Sequence, residues 1–321
     1  ICGFTGYRQD QKTVIERMMK AIEHRGPDSE GSFCREKITL GFRRLSIIDL
    51  EDGQQPMESA DGNLHIVFNG EIYDYKELRA ELETFGISFC THSDTEVLVN
   101  TLQQYGEKAL DKLRGMFGFA VWNEKEQTLM LARDFFGIKP VYYAEIDGHF
   151  VFASEIKSIL AFPGYERKVN QKALEQYLSF QYSPLEETFF KGIYKLMPGH
   201  MLLYKNGNYE IKTYFKTKLT PGKWNRTTNM DQLRSQLAEI LKDSVKHHML
   251  SDVEVGAFLS GGVDSGYLAS ASGADQAFTV GFDEGDRYSE VNKAAKVAEK
   301  AGLKHHVKII SKQEFWDALP D

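Results

Sequence analysis

Two short segments hold the residue types best suited to chemistry. The chain opens Ile1-Cys2-Gly3-Phe4-Thr5-Gly6. A cysteine that stands first in a chain has its own α-amine beside the thiol. With an ordinary pKa of about 8, that amine takes the thiol proton directly or through water. With Ile1 attached the nitrogen is an amide and no base, so self-activation requires Cys2 to be terminal. Removal of an initiator methionine does not take an isoleucine. The second segment is Phe258-Leu259-Ser260-Gly261-Gly262-Val263-Asp264-Ser265, placed where a strand hands over to a helix. Adjacent glycines let the backbone approach an anion, the two serines add hydroxyl donors, and a helix start points free N–H groups at the same spot. The loop has neither the Gly-Lys-Ser/Thr of a Walker loop nor a dinucleotide fingerprint. Asp264 makes sense beside a polyphosphate if Mg2+ lies between them.

Other candidates carry less. Arg133-Asp134 with Lys139 and Pro140 reads as a structural salt-bridged turn. His247-His248 and His305-His306 resemble metal pairs, but neighbours on a helix or strand point apart, so satisfied histidines are expected. Cys34 and Cys90 are expected to be buried thiols.

The elements that must position these groups fall into two styles. Val14, Ile15, Met18, Met19 and Ile22 have helical spacing, with Gly26 as the helix stop before Pro27. Strand signals follow. Leu64 to Phe68 ends in Asn69-Gly70, Phe117 to Trp122 and Thr128 to Ala132 flank a polar connection, and Asp147-Gly148 and Asn206-Gly207 join hairpins. Helices are predicted over Tyr75–Gly86, Asp94–Tyr105 and Gln171–Phe180. Near Leu219 the pattern changes. Thr220-Pro221-Gly222-Lys223 is turn-rich, and Arg226-Thr227-Thr228-Asn229 reads as helix entry. An amphipathic helix then carries Leu233, Leu237, Ile240, Leu241, Val245 and Met249 on one face. Strands at Val255–Leu259, Ala277–Phe282 and His306–Ile310 alternate with helices, the last over Ser289–Ala301, which predicts a parallel α/β sheet. The domain boundary is set at about residue 220.

Length and composition fit this division. At 321 residues the chain is long enough for two cores. A net charge of -7 argues against a phosphate-coating nucleic-acid surface. No apolar run approaches a membrane span, and no signal peptide is legible. An odd set of three cysteines without a CxxC pair is neither a disulfide framework nor a zinc site, and fits a reducing cytoplasm.

Arg25-Gly26-Pro27-Asp28, Arg44-Leu45-Ser46-Ile47, Phe68-Asn69-Gly70-Glu71-Ile72-Tyr73, Ser93-Asp94-Thr95-Glu96, Gly115-Met116-Phe117-Gly118-Phe119-Ala120 and Arg133-Asp134 follow Cys2-Gly3 in order. Together they resemble the N-terminal-nucleophile glutamine amidotransferases. Ser260–Ser265 resembles the loop of the ATP pyrophosphatases, and this domain order resembles the glutamine-hydrolysing asparagine synthetase family. The resemblance implies a four-layer αββα domain with antiparallel sheets over 1–219. Over 220–321 it implies an incomplete parallel-sheet ATP-pyrophosphatase domain.

It also implies roles. Cys2 would attack glutamine, with Asn69 and Gly70 donating to the oxyanion. Arg44 would pair bidentately with the α-carboxylate, and Glu71 and Asp94 would take the α-ammonium, with Leu45 and Ile47 alongside. Leu259, Ser260, Gly261, Gly262, Val263, Asp264 and Ser265 would hold ATP, with Val280 by the adenine and Asp264 toward Mg2+. Ammonia would then convert ATP-activated aspartate to asparagine, and a homodimer is implied. The chain ends at Asp321, before the family's later Ser-Gly-Glu-Gly segment and lysine. Glutaminase competence without asparagine synthesis is therefore expected of it. The alternatives are an inactive glutamine or nucleotide binder and a synthetase with another acceptor.

Overall fold

The computed structural model describes residues 1–218, 229–283 and 289–319. It divides into two compact units, Ile1–Leu219 and Thr220–Asp321. In the first, apolar alternation builds two six-stranded sheets. One runs, edge to edge, Ile193–Lys195, Tyr142–Ile146, His149–Ala153, Cys2–Thr5, Ile38–Arg44 and Ser29–Cys34. The other runs Asn208–Thr213, His200–Lys205, Thr128–Arg133, Gly115–Asn123, Leu64–Ile72 and Met57–Glu58. All these pairings are antiparallel.

Leu40, Phe42, Phe150 and Phe152 of the first sheet meet Val67, Trp122, Leu129 and Leu131 of the second in the central core. Burying a side chain of this size stabilises by about 1.5–3 kcal/mol. The outer face of the first sheet is closed by Gln11–Lys20 and Ile156–Leu160, where Phe4 packs with Val14, Ile15, Met18 and Ile159. Helix Asp94–Tyr105 lies against Leu64–Ile72, with Tyr75–Thr84 beside it. Helix, sheet, sheet, helix is the expected four-layer arrangement. Asp147 (φ 48°) and Gly148 (φ 79°) turn one hairpin, as Asn206 (φ 51°) and Gly207 (φ 81°) turn another, with the paired positive φ of a tight turn.

Four expectations are corrected. Asn69-Gly70 does not end a strand; it lies inside the nine-residue strand Leu64–Ile72. Gly26 does not stop the long helix, which ends at Lys20. It follows the single turn Glu23–Arg25 in an extended conformation, and a Cβ there would lie 2.3 Å from the Arg43 carbonyl carbon. Crowding, not a left-handed cap, demands the glycine. Cys90 is exposed, and Cys34, at the end of an edge strand, is only half-buried where it packs against the core. Finally, helix Met230–His248 forms, but on its apolar stripe Leu237 and Ile240 are exposed and only Val245 is buried.

In the second unit, Ala257–Phe258, Gln276–Phe282 and Lys304–Ile310 form a parallel sheet. Helices Val263–Ala271 and Val291–Ala301 cover one face over Leu259, Ala269, Ala277, Ala294 and Ala298. The opposite face leaves Phe258, Phe278, Val280 and Phe282 open. Parallel sheets are ordinarily covered on both faces. Thr220-Pro221-Gly222-Lys223 and Arg226-Thr227-Thr228 lie outside the described residues. Among those described, no helix is long and apolar enough to cross a membrane.

The crowding at Gly26 has a measurable consequence. Gly26→Ala should destabilise the first unit by about 1–3 kcal/mol in chemical unfolding, because the obstructing atoms are backbone. Unchanged stability would show that the Arg43 strand gives way freely.

Candidate active site

The motif residues scattered along the first unit converge at one end of the two sheets. Arg44 ends strand Ile38–Arg44, Asn69-Gly70-Glu71 lie near the end of Leu64–Ile72, and Asp94 opens helix Asp94–Tyr105. With Leu45 and Ile47 they line a cleft of about 410 Å³. Gly70 pairs with Phe117, and a Cβ on it would meet the Met116 carbonyl at 2.0 Å. Glycine alone lets these strands close up and leaves its neighbour Asn69 at the cleft wall.

Asp94 is a buried carboxylate. Ser93 caps the helix by accepting from the Thr95 N–H at 3.1 Å. Asp94 follows in the first turn, where the helix dipole favours an anion. Its carboxylate accepts the Ile72 N–H at 3.0 Å, which ties the strand end to the helix start. Burial pushes the carboxyl up to about 7; the Ile72 hydrogen bond opposes this, and nearby Glu71 adds to it. Such a pair of carboxylates suits a cation.

Arg44 is buried, and its guanidinium donates to the carbonyls of Ile48 and Leu50, each at 3.2 Å, and to that of Asp49. Those bonds fix the loop after the strand and leave the expected bidentate fork only partly free. Asp28 braces the same loop, its carboxylate accepting the Ser46 N–H at 2.8 Å. The Asn69 side-chain nitrogen is buried with no hydrogen-bond partner among the described residues. An amide donor left unsatisfied in a cleft wall is costly unless something there accepts from it.

Cys2 does not line the cleft. Its thiol is fully buried with Phe4 and Val14 on the helix-covered side of the sheet, and burial pushes it up to about 11. Cys2 is opposite Gly41 in a strand antiparallel to Ile38–Arg44, so the chain start runs toward Phe42, Arg43 and Arg44, all cleft residues. The Ile1 side chain fills the central core and its carbonyl accepts from Ser154 N at 2.8 Å.

The structure adds residues that the sequence reading passed over. Lys139, assigned to a structural turn, lines the cleft. Gln55 also lines it, accepting the Phe68 N–H at 2.6 Å and donating to Thr95 at 3.1 Å, and so braces strand and helix from behind. Nothing in its spacing announced it. The turn itself is structural, but backbone hydrogen bonds hold it rather than the expected salt bridge: Asp134 is buried and accepts the N–H groups of Phe136, Ile138 and Lys139 at 2.9–3.1 Å, and Arg133 donates to backbone carbonyls.

In the second unit, Ser260 and Ser265 share a hydroxyl contact of 2.9 Å, and Ser260 N donates to Ser265 Oγ at 3.2 Å. Gly261 has φ +76°, and a Cβ there would strike Lys293 Cβ at 2.7 Å. Gly262 begins helix Val263–Ala271 with no side-chain cap, so the first N–H groups face outward. Leu259 is buried, Val263 and Asp264 are exposed, and Val280 stands on the open sheet face. His305 contacts Thr279 at 2.8 Å and His306 contacts Gln276 at 3.0 Å, each satisfied apart from the other. No cluster of metal-ligating side chains occurs among the described residues.

Comparison with known proteins follows this division. Residues 1–215 match the glutamine amidotransferase domain family, and residues 236–321 match asparagine synthase. Asparagine synthetase [glutamine-hydrolyzing] 1 of Bacillus subtilis is 43% identical over all of this chain and 52% of its own length. A putative asparagine synthetase [glutamine-hydrolyzing] 2 of Methanocaldococcus jannaschii is 33% identical over 99% of this chain and 67% of its own. The chain thus spans about half the length of the Bacillus relative. A solved B. subtilis glutamine phosphoribosylpyrophosphate amidotransferase shares the fold. Its TM-score is 0.51 at 18% identity, over 95% of this chain and 65% of that one.

The raised Asp94 pKa sets a pH dependence. Its folded value lies above its ordinary value of about 3.9, so the folded state binds the extra proton between the two. Stability from this group is full below about pH 4 and is lost as pH rises toward 7. Relative to Asp94→Asn, the unliganded protein should lose on the order of 3–4 kcal/mol between pH 4 and pH 8. Parallel pH profiles of the two proteins would contradict it.

Proposed function

Because the chain belongs to the family of glutamine-hydrolysing asparagine synthetases, we propose that its first unit is a glutaminase that works when Cys2 carries a free α-amine. The observation that carries this reading is the convergence of Arg44, Asn69, Gly70, Glu71 and Asp94 on one cleft with an unsatisfied amide donor in its wall. The amine takes the thiol proton, sulfur attacks the glutamine side-chain carbonyl carbon, and the carbonyl electron pair moves to oxygen. Asn69 and Gly70 N–H groups stabilise that oxyanion. Collapse breaks the C–N bond, the amine's proton leaves with ammonia, and water hydrolyses the thioester to glutamate. Glu71 and Asp94 hold the substrate ammonium, and Arg44 its carboxylate.

The second unit belongs to the same proposal. Its loop from Leu259 to Ser265 grips the phosphates of ATP, with Val280 toward the adenine. The aspartate β-carboxylate displaces pyrophosphate to give β-aspartyl-AMP, and ammonia displaces AMP to give asparagine. The uncapped helix start at Gly262, next to Gly261 with its φ of +76°, fits such an anion. Mg2+ carried with ATP would neutralise phosphate charge, and exposed Asp264 is the loop carboxylate that could approach it. A cytoplasmic setting and a homodimer complete the proposal.

Glutamate release tests the first unit. A chain beginning at Cys2 should hydrolyse glutamine, Cys2→Ala should abolish this, and Asn69→Ala should lower kcat by about 100- to 1,000-fold, the usual weight of one oxyanion donor. The same chain with Ile1 in place should be inactive. Hydrolysis that survives Cys2→Ala would refute the assignment.

A further inference from the structure

We propose that Lys139 is a catalytic residue of the glutamine cleft, a cationic donor standing beside Asn69 for the amide oxygen as it gains charge. The proposal rests on the glutaminase reading and extends it by one residue.

The position follows from strand pairing. Asn69 is directly opposite Gly118. Residues so paired share a face, with Cβ atoms about 4.5–5.5 Å apart. Gly118 has no side chain, and a Cβ on it would stand 3.6 Å from Lys139 Cβ. Val141 Cγ2, at 2.7 Å, fills most of the space beside Gly118, and Lys139 borders it, lining the same cleft as the unsatisfied Asn69 amide. Its flexible four-carbon stem then reaches along the cleft wall.

The backbone of Lys139 is held at both ends. Its N–H donates to Asp134 at 2.9 Å and its carbonyl accepts from Arg133 Nε at 2.8 Å. Arg133 also donates to Leu196 O and Gly137 O, each at 2.7 Å, and Asp134 accepts three further backbone N–H groups, those of Phe117, Phe136 and Ile138. So many fixed bonds around one short turn pre-position what it presents, and fixed donors are what oxyanion stabilisation requires.

The other cleft cations are already engaged. Arg25 pairs with Glu155 at 2.9 Å, Arg43 with Glu23 at 3.2 Å and with Glu30, and Arg44 with backbone carbonyls. The Lys139 ammonium has no hydrogen bond or ion pair among the described residues. Burial pulls it below the usual lysine range, opposed by Glu71 and Asp134 and aided by Arg25. Throughout the reaction Lys139 keeps its proton; it donates a hydrogen bond to oxygen while the Cys2 amine carries the proton that leaves with ammonia.

Lys139→Met and Lys139→Arg, made in the chain that begins at Cys2, test this by steady-state glutamine hydrolysis. Loss of about 100-fold in kcat for Lys139→Met, with KM within about threefold and partial recovery in Lys139→Arg, is the expected result. A kcat within threefold of the parent overturns the proposal, as does a loss confined to KM, which would assign Lys139 to ground-state binding. If Lys139→Met fails to fold by circular dichroism, Lys139→Gln is read by the same criteria. A parent chain that hydrolyses no glutamine overturns the glutaminase reading and this one with it, whereas a competent parent with an equally competent Lys139→Met overturns this one alone.

Discussion

Everything in the first unit's cleft depends on a carboxylate kept out of water. Asp94 holds the end of strand Leu64–Ile72 against the start of helix Asp94–Tyr105 through the Ile72 N–H. That one bond aims Asn69, Gly70 and Glu71 at a common space. The helix dipole and the hydrogen bond favour its charge, while desolvation and Glu71 oppose it more strongly. The wall is therefore built around an anion whose charge is incomplete until a cation arrives, and an amino acid's ammonium is such a cation.

Antiparallel pairing does the rest of the positioning. Cys2 opposite Gly41 sends the chain start toward Arg44, and Asn69 opposite Gly118 leaves room for the turn that carries Lys139, Pro140 and Val141. The glycines act by absence: Gly26, Gly70 and Gly118 each occupy a place where a Cβ would meet a neighbour within 3.0 Å. Ile1 shows how sensitive the arrangement is. One residue ahead of Cys2 joins the central core and makes the would-be base an amide, while the thiol lies among apolar side chains on the sheet's other face.

Much of this was legible in the sequence, and the failures share a cause. Hairpins turned by Asp147-Gly148 and Asn206-Gly207 and the helix Asp94–Tyr105 were readable because turn chemistry and caps are local. The cleft set Arg44, Asn69, Glu71 and Asp94 came from resemblance, since no local rule brings residues 25 positions apart together. Asn69-Gly70 was misread as a strand end because that dipeptide usually turns, whereas here the crowding of Met116 demands the glycine. Lys139 was hidden because only the folded turn brings it to the cleft, and Gln55 because it acts from behind the wall. In the second unit the order of strands and helices was legible, while the open face of Phe258, Phe278 and Phe282 and the exposed stripe of Met230–His248 were not. Amphipathic spacing states which face seeks cover, not what covers it.

The central claim is that the sulfur of Cys2 becomes a nucleophile only when its own nitrogen is a free amine beside this cleft. Treating the protein with a diazoketone analogue of glutamine and mapping the adduct by peptide mass spectrometry tests it most directly, because the chain offers three thiols to choose among. A single adduct on Cys2, formed when Cys2 is terminal and absent when Ile1 precedes it, is the predicted outcome. Labelling of exposed Cys90 in preference to Cys2, or equal labelling of Cys2 with Ile1 attached, would contradict it.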